Sequence, residues 1–121
     1  MNTQREIKFR VWDSILKEWR NSSQLVLRPD GKATDGSISI KEPVQQFTGL
    51  KDSKGNEIYE GDIISYLQHL FNTSPDNYPV KTKEVKWKNM QGCWNVYESQ
   101  AGESDLEVIG NIFENSELLN Q

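Results

Sequence analysis

Cysteine and histidine are nearly missing from this chain, which has one of each, Cys93 and His69, in 121 residues. A lone cysteine excludes an internal disulfide and any cysteine-based zinc site, and it agrees with a reducing compartment. Cys93 therefore reads as a small buried or half-buried thiol. No run approaches the roughly 18 apolar residues that cross a bilayer, and the first ten residues lack the apolar core of a secretory signal, so a cytoplasmic protein with no membrane partner is expected. Basic residues are scarce where it matters. The first sixty residues carry ten Lys/Arg against nine Asp/Glu, the remainder four against nine, and no basic residue follows Glu98. A net charge of -4 disfavours bulk binding of polyanions. Long amphipathic helices, heptads and solenoid-length repeats are also missing, which leaves a mainly β chain with little helix.

What is present is aromatic. Four each of Trp, Tyr and Phe supply large apolar surfaces that a disordered chain lacks, although 35% hydrophobic content predicts a thin core and long loops. Residues 5–13 alternate, with Ile7, Phe9 and Val11 on one face and Lys8, Arg10 and Trp12 on the other, the period of a half-buried strand. Short strands are expected at 17–20 and 24–28, then a Pro-Asp-Gly turn at 29–31, a mobile loop at 32–37, and Ile38 and Ile40 beyond it. Extended segments at 44–50 and 57–67 flank a reverse turn at 52–56. The longest irregular loop falls at 69–79, where two prolines interrupt any periodicity. The pattern over 82–89 places Val85 and Trp87 inward and Lys86 and Lys88 outward, with 93–97 returning as a hairpin. A last strand at 106–113 follows a polar turn at 99–105, and one helical turn is expected at 115–120 with Asn115 or Ser116 as its cap.

None of this spells an active site. His69 reads as a loop-packing residue, and His69 with Asp62 and Asp76 matches no metal-ligand spacing. Ser65 and Cys93 lack an activating context such as a nucleophile elbow. No glycine opens a helix that would cradle phosphate, so no nucleotide fingerprint is present. Catalytic, cofactor and metal residues are accordingly not assigned, and the protein reads as a non-enzyme. Gly49, Gly55, Gly61 and Gly110 read as turn or bulge positions, and Asp52 and Asp62 as carboxylates that accept main-chain N–H groups beside them. Ile58 and Tyr59 pack the turn onto a barrel, or Tyr59 is displayed to a partner. Trp12, off the parity of the apolar face, and Trp94 are the remaining candidate interface residues, with Trp12 covered by another subunit or another segment. Lys8 and Arg10 beside Trp12, and Lys86 and Lys88 near Trp94, are the candidate contacts of the alternative, a small-barrel nucleic-acid-binding protein.

Three separated blocks, residues 5–13, 46–64 (QFTGLKDSKGNEIYEGDII) and 106–119 (LEVIGNIFENSELL), together resemble the YopX family of small bacteriophage and prophage proteins. The blocks keep the family's order and span nearly the whole chain. Ser116 departs from it, standing where members often carry proline after the asparagine. The resemblance implies one unit over 1–121 with an N-terminal β region (1–43) and an SH3-like small barrel (44–121). It also implies homo-oligomers, and it transfers no catalytic residue. The function expected is that of a phage or prophage accessory protein, a self-associating interaction module with an unknown phage or host protein as partner.

Overall fold

A computed structural model describes residues 8–21, 25–34, 42–90, 92–97 and 103–120. The expectations for Ile7, Ile38, Ile40, residues 35–37 and residues 99–102 lie outside the described residues. The chain divides between Gly49 and Leu50 into two units. Both are built from strands, and no α-helix occurs among the described residues.

In the first unit, β1 (Phe9–Asp13) and β2 (Glu18–Asn21) form an antiparallel hairpin that sets Trp12 opposite Trp19. Asp13 closes it, its Oδ1 accepting the N–H groups of Ile15 and Leu16 at 3.0 Å each. The short strands β3 (Val26–Leu27) and β4 (Ala33–Thr34) pair around the Pro-Asp-Gly turn, where the Lys32 N–H donates to Asp30 Oδ1. β5 (Gln45–Lys51) runs antiparallel to β1, with Phe9 opposite Gln46. Val11, Leu25 and Ala33 are the buried core, with Phe9 and Val44 packed against them.

In the second unit, the end of β5 leads through the 52–56 turn into β6 (Glu57–Tyr59). β7 (Asp62–Gln68) is the centre of a three-stranded antiparallel sheet. β8 (Val80–Glu84) lies on one side of it, and the hairpin of β9 (Trp87–Lys88) and β10 (Cys93–Trp94) follows in the chain. β11 (Glu103–Asn111) lies on the other side of β7. Single turns of 3-10 helix occupy Pro75–Asn77, Asn95–Tyr97 and Ser116–Asn120. The register of β11 on β7 shifts twice, between Ser104 and Glu107 and between Val108 and Gly110. Each irregularity bends the strand, and together they curl the sheet into a small barrel-like, SH3-type unit whose ladder stays open at β8 and β11. Ile58, Ile64, Val85, Val96 and Leu106 form its core, with Leu50, Tyr66, Trp94 and Val108 around them.

The expected strand over 82–89 is broken, and the break corrects the position of Trp87. β8 ends at Glu84, where the Asn95 side chain holds the chain: its Nδ2 donates to the Glu84 carbonyl at 2.8 Å and its Oδ1 accepts the Lys86 N–H at 2.9 Å. Alternation does not survive the interruption, so Val85 is fully buried but Trp87 is 46% exposed and Lys88 half-buried. Cys93 is likewise exposed, not buried.

Gly110 marks the second bulge, and a methyl group there would lie 2.6 Å from Asn115 Oδ1 and 2.8 Å from its Cβ. Asn115 has little room to yield, because that same Oδ1 accepts the Asn111 N–H at 3.3 Å. Gly110→Ala should therefore destabilise the protein by about 1–3 kcal/mol, as overpacked sites do. Urea unfolding of the two proteins measures it, and equal midpoints would show that the bulge relaxes freely.

Candidate functional site

The turn 52–56 is built from its first residue. Asp52 Oδ1 accepts the N–H groups of Lys54 (3.0 Å) and Asn56 (2.8 Å), while Oδ2 accepts Asn56 Nδ2 (3.2 Å) and the N–H of Val108 on β11 (2.9 Å). Ser53 adds two bonds to the same strand, N and Oγ both donating to the Leu106 carbonyl at 2.8 and 2.9 Å. Gly55 supplies the φ of +86° that closes the turn, a region most residues enter only with strain. Burial is the largest single influence on the Asp52 carboxyl and opposes its ionisation. The hydrogen bonds from Val108, Asn56 and Lys54 together outweigh it, holding the carboxyl below its ordinary value. Outside the turn, Lys54 Nζ meets Glu107 Oε1 at 2.8 Å, and this hydrogen bond and charge raise the lysine above its ordinary value.

Asp62 works the same way one turn later. It is 2% exposed, and its Oδ2 accepts the Tyr59 N–H at 2.7 Å. Gly61, at φ +85°, donates to the Val85 carbonyl just past β8 and accepts from the Ile112 N–H just past β11, tying the turn to the residues that follow both strands. Gly49 takes a φ of +86° inside β5. Tyr59 itself is half-buried and Ile58 fully buried.

The aromatic and basic candidates fall into separate places. In the first unit Trp12 is 7% exposed and meets Trp19 edge to face at 5.0 Å, so its cover comes from the chain itself. The Arg10 guanidinium lies 3.9 Å over the Trp19 ring while its Nε donates to Gln45 Oε1 at 3.0 Å, and Lys8 Nζ lies 5.0 Å over Phe47. In the second unit Trp94 meets Trp87 edge to face at 5.1 Å, and Lys86 reaches Glu84 at 3.9 Å. Among the described residues, no three His, Cys, Asp or Glu side chains gather as a metal site would, so His69, Asp62 and Asp76 do not come together.

Two features lay beyond the sequence reading. The braces Asn95 and Asn111 are buried; the only local sign of the second was an asparagine directly after a bulge glycine. The second feature is the loop after β7. His69 stacks on Tyr78 at 4.6 Å, and its Nε2 shares a 2.7 Å hydrogen bond with Ser104 Oγ. The Gln68 N–H donates to the Pro79 carbonyl and draws the loop's ends together around a shallow cup of about 410 Å³. Leu70 and Phe71 line the cup, and Phe71 is 90% exposed.

The YopX protein family model matches residues 8–120. The chain belongs to the YopX family. A solved structure similar in fold is the crystal structure of protein EF1440 from Enterococcus faecalis, 24% identical, with a TM-score of 0.57, over 96% of this chain and 99% of that one. No curated protein matches this YopX chain. No helix among the described residues is long and apolar enough to cross a membrane.

The Asp52 carboxyl sits below its unfolded value of about 4, so the stability it contributes is complete above that pH and is lost as pH falls through the folded value. Asp52→Asn places an amide among N–H donors and should cost about 1–3 kcal/mol at pH 7, the range for buried donors left unpaired. Unfolding curves from pH 7 to pH 2 test both parts: the gap between the two proteins should shrink below pH 4. A gap constant across that range would show that the carboxylate's charge is not what holds the turn.

Proposed function

We propose that this YopX protein is a non-catalytic, self-associating interaction module of a bacteriophage or prophage, acting in the cytoplasm of the bacterial host with a phage or host protein as further partner. The observation that carries the reading is apolar surface left outside a thin core. Leu70 and Phe71 stand at the entry of the loop after β7, and Val80, 68% exposed, stands at its exit on the open edge strand β8. Leu70 and Phe71 adjoin one another and both line the cup, and adjoining exposed apolar side chains are a common mark of protein contact, while scattered ones are ordinary. The carboxylates of the glycine-rich stretch, which in an enzyme would face a substrate, instead accept main-chain groups. That arrangement favours a scaffold over a reaction.

The nucleic-acid reading draws on Lys8, Arg10, Lys86 and Lys88. Arg10 already lies on Trp19 and on Gln45, Lys8 lies over Phe47, and Lys86 is near Glu84. With a net charge of -4 the balance is against it.

Sedimentation at several concentrations tests the proposal. A mass rising above the 14.0 kDa of one chain is expected, together with no salt-dependent retention on DNA or RNA. Phe71→Ser, at an exposed position, should change stability by less than about 0.5 kcal/mol while weakening association. A constant single-chain mass up to millimolar concentration overturns the reading.

A further inference from the structure

Strand β5 changes its buried side partway along. Gln45 and Phe47 are both buried in the half that pairs with β1, where Gln45 lies opposite Arg10 and the Phe47 N–H donates to the Lys8 carbonyl at 2.9 Å. An unbroken strand would keep its inward side chains at these odd positions. Beyond Gly49 the inward residue is instead Leu50, which packs against the core of the second unit. Gly49 makes the change, because its φ of +86° lies outside the extended region and resets the alternation. A methyl group there would meet no atom within 4 Å, so backbone conformation and not crowding calls for glycine.

Each half of β5 thus leads to a different core. In the first unit, among the described residues, Val11, Leu25 and Ala33 cluster with Phe9 and Val44 against them, and β3 and β4 pair with each other alone. That unit is Met1–Gly49, and the single cysteine lies beyond it. A unit shorter than about 60 residues, without a disulfide, buries too little of its chain to be more than marginally stable. The second unit has the larger aliphatic cluster and the buried braces Asp52, Asp62, Asn95 and Asn111. Its own hydrogen bonds begin directly after β5, the Asp52 N–H donating to the Asn56 carbonyl and the Ser53 N–H to the Leu106 carbonyl, each at 2.8 Å.

We infer that the break at Gly49 divides the chain into two cooperative units, so that the first opens and closes on its own while the second stays folded. Separate cores give separate opening equilibria within one chain. A molecule that binds only the closed form of the first unit then shifts that unit alone. The inference does not depend on the association proposed above.

Amide hydrogen exchange of the full chain, followed residue by residue by NMR, tests it. The paired amides of β1 and β2 and the Phe47 amide should exchange together, at least about tenfold faster than those of β7, Ser53 and Val108. Val11→Ala, at a fully buried position, should speed the first group at least about fivefold and leave the second unchanged, while Asp52→Asn should do the reverse. A Val11→Ala protein whose first unit fails to close still carries the test, because the second group must keep its parental protection. One common rate for both groups, or a substitution that speeds both alike, overturns the inference. A Phe47 amide that exchanges with Ser53 and not with β1 overturns the placing of the break at Gly49.

Discussion

The Asp52 carboxylate is the point through which the second unit is joined. It takes three main-chain N–H groups and one side-chain amide, and Val108 is 56 positions away from it in the chain. A carboxylate suits this position because it accepts at both oxygens and has no hydrogen to place against the donors that surround it. Charge-assisted bonds of this kind are stronger than neutral ones, and removing the acceptor would strand several donors at once. The neighbouring Lys54–Glu107 pair spans the same two segments, yet it is solvent-exposed and adds little. Anchoring β11 at Leu106 and Val108 leaves the strand free to bend on either side, where its two register shifts occur.

This reliance on polar braces follows from the composition. With 35% hydrophobic residues and a mean hydropathy of -0.76, the chain cannot specify its fold by aliphatic volume alone. Among the described residues of the second unit, Ile58, Ile64, Val85, Val96 and Leu106 form one buried cluster, and Ile63 is fully buried as well. Around them Asp52, Asp62, Asn95 and Asn111 are buried, each holding main-chain N–H or carbonyl groups. A satisfied network of this kind fixes a single register, and it also makes the structure sensitive to the loss of any one member.

The parts legible in the sequence are those governed by neighbours in the chain. Asp, Gly and Asn within five residues carry the 52–56 turn by local chemistry, and the Pro-Asp-Gly turn is equally local. The family blocks and the mainly β character belong to the same class. Trp87 was misplaced because alternation holds only along an unbroken strand, and the break at 85–86 is imposed by Asn95 from the returning hairpin. Trp12 needed the partner strand before its cover could be named, and the His69–Ser104 bond joins residues 35 positions apart. Alternation assigns a face to Trp12 but does not name the ring across the hairpin that covers it, and no local window contains both His69 and Ser104.

The lysines of β8 show how an open ladder is protected by more than charge. Lysine on an edge strand is an ordinary defence against pairing with another sheet, because it must be stripped of water and set beside its own kind. Lys81 is exposed and placed for that role, whereas Lys83 is half-buried with its Nζ 4.7 Å over the Tyr66 ring. Between them Thr82 reaches the Leu118 carbonyl with its hydroxyl at 3.4 Å, which ties the last 3-10 turn to the same strand. The strand that ends the ladder is therefore held by the end of the chain as well as guarded by a cation, and the bends of β11 that lead into that final turn serve both tasks.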